Sequence, residues 1–116
     1  MPDRDGYPTD RELEVIQIWD LLPDPKLPQS ADSQRRRALI ELLDFVRDCW
    51  HWPDWGFRTG TRKLYLSTGG WSGNESIITA LQGNVLFWSR YWYSHKRGGH
   101  YKFELPRAVL TTLQNP

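Results

Sequence analysis

A glycine-rich segment of nine residues, from Ser67 to Glu75, constrains the fold of this chain more than any other feature. The residues before it (62–66) have the pattern of a strand, and those after it (77–81) have the pattern of a helix. A turn of this kind presents free backbone N–H groups at the N-terminus of a helix, where an anion is stabilised. The sequence therefore predicts a binding site in this segment, although it does not name the ligand.

Length and composition indicate one small domain. The chain has 116 residues and a formal net charge of +1, with 39% hydrophobic and 25% charged residues. No apolar run approaches the roughly 20 residues that span a bilayer, and the N-terminus lacks the apolar segment of a signal peptide. A single cysteine, Cys49, excludes an internal disulfide and favours a reducing compartment. We expect a cytoplasmic protein with a disordered segment at residues 1–8 and one domain at residues 9–116.

Charge is distributed unevenly along the chain. Residues 1–54 hold seven Lys and Arg against twelve Asp and Glu, whereas residues 55–116 hold eight against two. The half that carries the glycine-rich segment is therefore the half that attracts anions. An equally weighted interpretation is that the two halves pack against each other with complementary charge.

The first half of the chain predicts helices and the start of a sheet. Thr9 and Glu12 have capping-box spacing for a helix over residues 10–22, and Ser30 can cap a second over residues 33–50. Residues 56–58 and 62–67 form a hairpin, or only the second segment is a strand. Ser72 and Glu75 have capping-box spacing for a third helix over residues 73–82.

The second half predicts mainly strands. Residues 85–94 are rich in aromatic side chains that alternate as in a strand, and residues 96–99 supply a turn into a returning strand over residues 100–105. Pro106 opens a short last helix that ends near residue 113. The resulting fold class is α+β, with N-terminal helices packed on a small, mainly antiparallel sheet and one helix after the glycine-rich loop.

The two glycine-containing turns, at residues 68–75 and 97–101, flank the same predicted sheet. If they open towards one end, backbone N–H groups, hydroxyls and the Arg97 guanidinium supply phosphate donors, and aromatic rings supply stacking surfaces. We therefore expect a nucleotide-like ligand. The candidate ligand-binding residues are Thr68, Gly69, Gly70, Trp71, Ser72, Asn74, Glu75, Arg97, His100 and Tyr101.

Other interpretations of these residues stay open. The glycines can serve only to make a tight turn, and the loop matches neither the P-loop nor the dinucleotide-binding fingerprint. Glu75 and His100 could act as base and acid in phosphodiester hydrolysis if they met, but we do not favour an enzyme. No zinc-finger spacing is present, so no metal or other cofactor is expected. General nucleic-acid binding ranks lower, because the overall charge is nearly neutral and no RNA-recognition motif is visible.

The segments Ser67–Glu75 and Arg97–Glu104 resemble a family of small uncharacterised proteins encoded by bacteriophages. In that family a Thr-Gly-Gly-Trp-Ser-Gly-Asn-Glu stretch precedes an aromatic strand and an Arg-Gly-Gly-His-Tyr turn, so the match covers about residues 64–104. The resemblance implies a phage origin and transfers no activity. Small phage proteins outside the virion often oppose host defence. The resemblance is thus compatible with sequestering a nucleotide signal or, like an anti-CRISPR protein, with blocking a host defence protein.

Overall fold

The computed structural model describes residues 7–115 and confirms the α+β class. Thr9 and Ser30 cap the first two helices as predicted, each accepting a hydrogen bond from the backbone three residues on. The elements in chain order are α1 (Asp10–Ile18), α2 (Ala31–Cys49), α3 (Pro53–Gly56), β1 (Phe57–Thr59), β2 (Lys63–Ser67), α4 (Ser72–Gly83), α5 (Val85–Tyr91), β3 (Trp92–Lys96), β4 (His100–Glu104) and α6 (Arg107–Gln114).

The first helix ends at Ile18, four residues before the predicted end. The buried amide of Asn84 donates hydrogen bonds to the carbonyl oxygens of Ile16 and Trp19 at 3.0 and 3.1 Å, which satisfies the end of the helix. Trp19 is then extended, and its indole N–H donates to the carbonyl of Ala38 at 3.1 Å. A distant side chain, Asn84, thus contributes to ending this helix.

The predicted strand over residues 85–94 is wrong for its first seven residues, which form α5. The side-chain oxygen of Asn84 accepts a hydrogen bond from the backbone N–H of Phe87 at 3.2 Å and so starts a new helix directly after α4. Phe87 and Tyr91, four residues apart, both turn into the core. The aromatic residues of this segment therefore bury their rings at helical spacing, although their alternation in the sequence also fits a strand. The strand β3 begins only at Trp92.

The four strands form one antiparallel sheet in the order β1-β2-β4-β3. One face carries Phe57, Leu64, Leu66 and Phe103, which are buried with apolar side chains of the helices in a single hydrophobic core. Because successive side chains in a strand point to opposite faces, the intervening residues form a second face. That second face stays exposed or half-buried and is called the open face below.

The start of the described chain packs beside α4. Tyr7 stacks on Trp71 with ring centroids 4.7 Å apart, and Pro8 lies next to Gly73. The disorder expected for residues 1–8 otherwise falls on residues 1–6, which lie outside the described part of the chain. Along residues 7–115, no helix is both long enough and apolar enough to cross a membrane.

Candidate functional site

The two glycine-containing turns meet at one end of the sheet. The backbone N–H of Thr68 donates to the carbonyl of Gly99 at 3.0 Å, which extends the pairing of β2 with β4 by one step. Next to this bond, Ser67 Oγ and His100 Nδ1 share a hydrogen bond of 2.9 Å. A Cβ atom on Gly99 would overlap Thr68 Oγ1, so this close approach requires glycine. The motifs that stand 30 residues apart in the sequence therefore form one surface.

The polar side chains inside the glycine-rich loop are buried and bond to the protein's own backbone. Thr68 and Asn74 are each only 1% exposed. The Asn74 side chain accepts from the His51 N–H at 2.8 Å and donates to the carbonyls of His51 and Thr68 at 2.9 and 3.3 Å. Thr68 and Asn74 were predicted to bind ligand. In the structure both side chains are buried, and the Asn74 amide holds the loop against the end of α2 through its hydrogen bonds to His51.

The predicted capping box at the start of α4 is also wrong. The N-cap residue is Trp71, which makes no side-chain cap, and Ser72 is already inside the helix. Glu75 lies exposed in the first turn, where the positive end of the helix dipole stabilises its negative charge. The Trp71 ring stacks on His51 at 4.4 Å as well as on Tyr7. Protein rings therefore pack against Trp71, the residue that was predicted to stack on a base.

The loop has a different role towards two exposed tryptophans, Trp52 and Trp55, which we call the tryptophan pair. A Cβ atom on Gly69 would lie 3.2 Å from Cζ3 of Trp55 and 3.9 Å from Cε3 of Trp52. The bare backbone of Gly69 thus lets both rings pack over the loop. Each residue nevertheless keeps more than half of its surface accessible, 54% for Trp52 and 55% for Trp55.

Trp52 has an unusual backbone conformation. Its φ and ψ are +58° and +57°, in the left-handed region, and it is the one described non-glycine residue with positive φ. Pro53 follows it and disfavours the right-handed helical conformation at Trp52. Left-handed backbone costs a bulky residue roughly 1–2 kcal/mol. The fold accepts this cost at a residue whose ring is largely in solvent.

The open face is a continuous surface built from three cross-strand rows. The first row, next to the glycine turns, contains Ser67, His100 and Lys96; the second contains Arg58, Tyr65, Lys102 and Ser94; the third contains Lys63 and Glu104, with Tyr93 beside them in a bulge of β3. Every strand contributes to it. Four of its side chains are Lys or Arg and one is Glu.

Most of that positive charge has no partner. Lys63 donates to Glu104 at 2.9 Å, and this hydrogen bond lowers the pKa of the Glu104 carboxyl. Among the described residues, Arg58, Lys96 and Lys102 form no ion pair. Lys102 Nζ instead lies 5.9 Å from the ring centroid of Tyr65, beyond which Arg58 follows in the same row.

A groove of about 720 Å³ runs over the first two rows of the open face. His100 is the predicted site residue whose side chain points into this region, hydrogen-bonded to Ser67. Tyr101 also borders the groove, but its ring stacks on His95 at 5.4 Å and contacts Trp88 at 6.1 Å. The remaining groove residues that matter for binding are Trp55, Arg58, Tyr65, Lys96 and Lys102.

Two predicted ligand residues lie at the margin of this groove. Arg97 is exposed in the turn between β3 and β4, and Gly70 is exposed in the loop, with nothing within 4 Å of a built Cβ atom. Both are accessible to a ligand that extends beyond the groove. The predicted set thus separates into the buried residues Thr68 and Asn74, the stacked rings of Trp71 and Tyr101, and exposed residues, of which His100 lines the groove.

Sequence reasoning missed the cations and the ring of the second row. The sequence does place Arg58, Tyr65 and Lys102 within short alternating segments, but only the strand register reveals that they are direct neighbours. The sequence therefore showed which residues are cationic or aromatic and which share one face of their own strand. It did not show that β2 pairs with β4.

Other groups suited to chemistry are separate from the groove. Cys49 is buried beside Glu12, with Sγ donating to Oε2 at 3.4 Å, and burial together with this carboxylate raises the pKa of the thiol to about 12. No hydrogen bond or ion pair joins Glu75 to His100 within residues 7–115. The same residues contain no cluster of three or more His, Cys, Asp or Glu side chains that could hold a metal ion.

No protein-family model, curated protein or solved structure matches this chain. The resemblance of its two glycine motifs to phage-encoded proteins therefore stays a prediction. The open face is the surface best suited to binding, because cations that form no ion pair within residues 7–115 line a groove with the accessible Tyr65.

Proposed function

We propose that the protein binds a phosphate-bearing, nucleotide-type ligand in the groove of the open face. The observation that carries this proposal is a group of three cations, Arg58, Lys96 and Lys102, which line the groove with Tyr65 and form no ion pair within residues 7–115. Neighbouring like charges repel one another and gain by taking up an anion. A flanking aromatic ring gives the same anion a second recognition element, a base.

Each groove residue has a distinct part in this proposal. Arg58 offers a planar fork for two phosphate oxygens, while Lys96 and Lys102 add point charges. Tyr65, 38% exposed, stacks on the base. The Ser67–His100 pair offers a hydroxyl and an imidazole for ribose or base edges. Arg97 and Gly70 contact the ligand only where it reaches the margin of the groove.

The biological setting that we propose follows from the phage resemblance. A small phage protein with a preformed nucleotide groove would sequester a nucleotide signal of host defence in the cytoplasm. Hydrolysis by Glu75 and His100 would require those two residues to come together, so we propose binding without turnover. Analysis of the nucleotide after incubation with the protein separates the two, because hydrolysis leaves a product and sequestration returns the ligand intact.

The test is a thermal-shift and calorimetry screen against mono-, di- and cyclic nucleotides. A ligand at 100 times its dissociation constant stabilises the folded state by about 2.7 kcal/mol, a shift of several degrees for a domain of this size. We expect Arg58→Ala to weaken binding about tenfold, since a charge-assisted contact contributes about 1.5–3 kcal/mol. Arg107→Ala, which removes the same charge from the exposed start of α6, is the matched control. No shift across the panel contradicts the proposal.

A second candidate, an inhibitor that binds a host defence protein, is favoured by a different surface. A cavity of about 1040 Å³ lies between the linker that follows α1 and the helices α2 and α6. Exposed aliphatic side chains accompany it: Leu22 is 67% and Leu27 50% exposed. Exposed apolar groups of this kind mark protein interaction sites. If this surface is the functional one, Leu22→Asp abolishes capture of a stoichiometric host protein, and Arg58→Ala leaves that capture unchanged.

A further inference from the structure

The open face and the tryptophan pair form one continuous path. The groove that holds Tyr65 also contacts Trp55, which packs with Trp52 over Gly69 beyond the first row. At the opposite end, Tyr93 lies beside the third row, where Lys63 Nζ is 4.3 Å from its ring centroid. Accessible rings therefore occur at both ends of the path and in its middle.

The rows also set the length of this path. Two residues along a strand advance about 6.8 Å, so the three rows alone extend over about 14 Å before the tryptophan pair is added. Unpaired cations occur in the first row at Lys96 and in the second at Arg58 and Lys102. A mononucleotide has one base and cannot occupy several rings. A chain of nucleotides presents successive bases and phosphates to successive rings and cations.

The backbone of Trp52 supports the same conclusion. A left-handed conformation at a bulky residue is costly, and such outliers point to a function when the ring they present is not needed for burial. Trp52 is more than half exposed, although its ring centroid lies 4.2 Å from that of His51 and 5.9 Å from that of Trp71. The fold thus maintains a strained residue whose ring is available for stacking at the end of the path.

We infer that the ligand of the open face is a single-stranded nucleic acid, which lies along the rows and stacks its terminal base on the tryptophan pair. This inference rests on the proposed nucleotide-type binding and names its substrate class. It places nucleic-acid binding first, whereas the nearly neutral overall charge had ranked it below binding of a small nucleotide. The sheet gathers cations on one face while most of the acidic residues belong to the first half of the chain.

The recognition that results is sequence-tolerant. Every base has a face that can stack on a tyrosine or tryptophan, and lysine and arginine contact the backbone without reading the base. Double-stranded nucleic acid keeps its bases stacked internally and cannot offer them to Tyr65 or Trp52. The face therefore discriminates by strandedness.

The experiment is fluorescence anisotropy with fluorescein-labelled oligothymidylates of two, four, six and ten nucleotides, with unlabelled thymidine monophosphate as competitor. We expect affinity to rise with length and then to level off. With about three phosphates neutralised, the logarithm of the association constant should fall with log salt with a slope of about −2. A blunt duplex of the same length should bind much more weakly.

Variants assign the stacking. Trp52→Gly suits the left-handed backbone and should weaken decamer binding about tenfold while leaving the monophosphate unaffected. Tyr65→Leu should weaken both ligands. Trp92→Leu removes a 40% exposed tryptophan from the other face of the sheet and should change neither.

The outcomes separate this inference from the proposal beneath it. Equal affinity for the monophosphate and the decamer overturns the single-strand inference and leaves nucleotide binding standing. Duplex binding as tight as single-strand binding also overturns it. Failure of every nucleotide and oligonucleotide to bind overturns both.

Discussion

In the glycine-rich loop the buried polar side chains of Thr68 and Asn74 bond to neighbouring backbone. On the adjoining open face Arg58, Lys96 and Lys102 have no ionic partner within the described residues 7–115. The two regions meet at the Ser67–His100 row. The polar groups of the loop bond within the protein, whereas the side chains of the open face are accessible to a ligand. A glycine motif can therefore act as scaffold for a surface formed by different residues.

The loop supports that surface in two ways. Its contact with Gly99 brings the β3–β4 turn close to the end of β2, and its bare backbone at Gly69 lets the tryptophan pair pack nearby. Substitutions in the loop should therefore change stability first, and substitutions on the open face should change binding alone. The predictions below test this division.

The largest expected loss of stability follows from Gly99→Ala. The added methyl group would overlap Thr68 Oγ1, and φ is +79° at this position. Left-handed strain and steric overlap together should cost about 3 kcal/mol. The measurement is the midpoint of urea unfolding.

Gly70→Ala is the matched control, because φ is +76° but nothing lies within 4 Å of the new methyl group. It should lose only about 1 kcal/mol, the strain component. Thr68→Ala in the Gly99→Ala background should recover part of the loss by removing the overlapping hydroxyl. Equal losses at Gly99 and Gly70 would show that the two turns are not in close contact.

The glycine-rich loop itself illustrates how far the sequence predicts structure. Local signals correctly indicated a strand, a turn and a helix around it, and the Thr9 capping box was confirmed in atomic detail. These features depend on residues a few positions apart. The predicted box at Ser72 and Glu75 had the same spacing but failed, because Trp71 occupies the cap position and packs against Tyr7 and His51.

Longer-range effects account for the other errors. Asn84 contributes to ending α1 through hydrogen bonds to Ile16 and Trp19, which are far from it in the sequence. Its cap on α5 is a local contact with Phe87, a signal that the strand prediction for residues 85–94 did not use. The open face depends on register: Arg58 and Lys102 are 44 positions apart and flank Tyr65 only because β1 and β4 both pair with β2. The overall balance of charge concealed this arrangement, since it averages over both faces of the sheet and all helices.

A smaller loss of stability should separate the scaffold side chains from the exposed ones at the same loop. Asn74→Ala removes the amide that bonds to His51 and Thr68 and leaves buried backbone groups without partners, so it should cost about 2 kcal/mol. Ser72→Ala, two residues before Asn74 and exposed, should cost less than about 0.5 kcal/mol, as should Lys102→Ala on the open face. Urea unfolding of the three variants gives these values, and calorimetry with a nucleotide should then rank them differently, with Lys102→Ala the most impaired. If Asn74→Ala unfolds like the wild type while losing nucleotide affinity, the loop contacts the ligand directly, and the division between scaffold and binding surface is wrong.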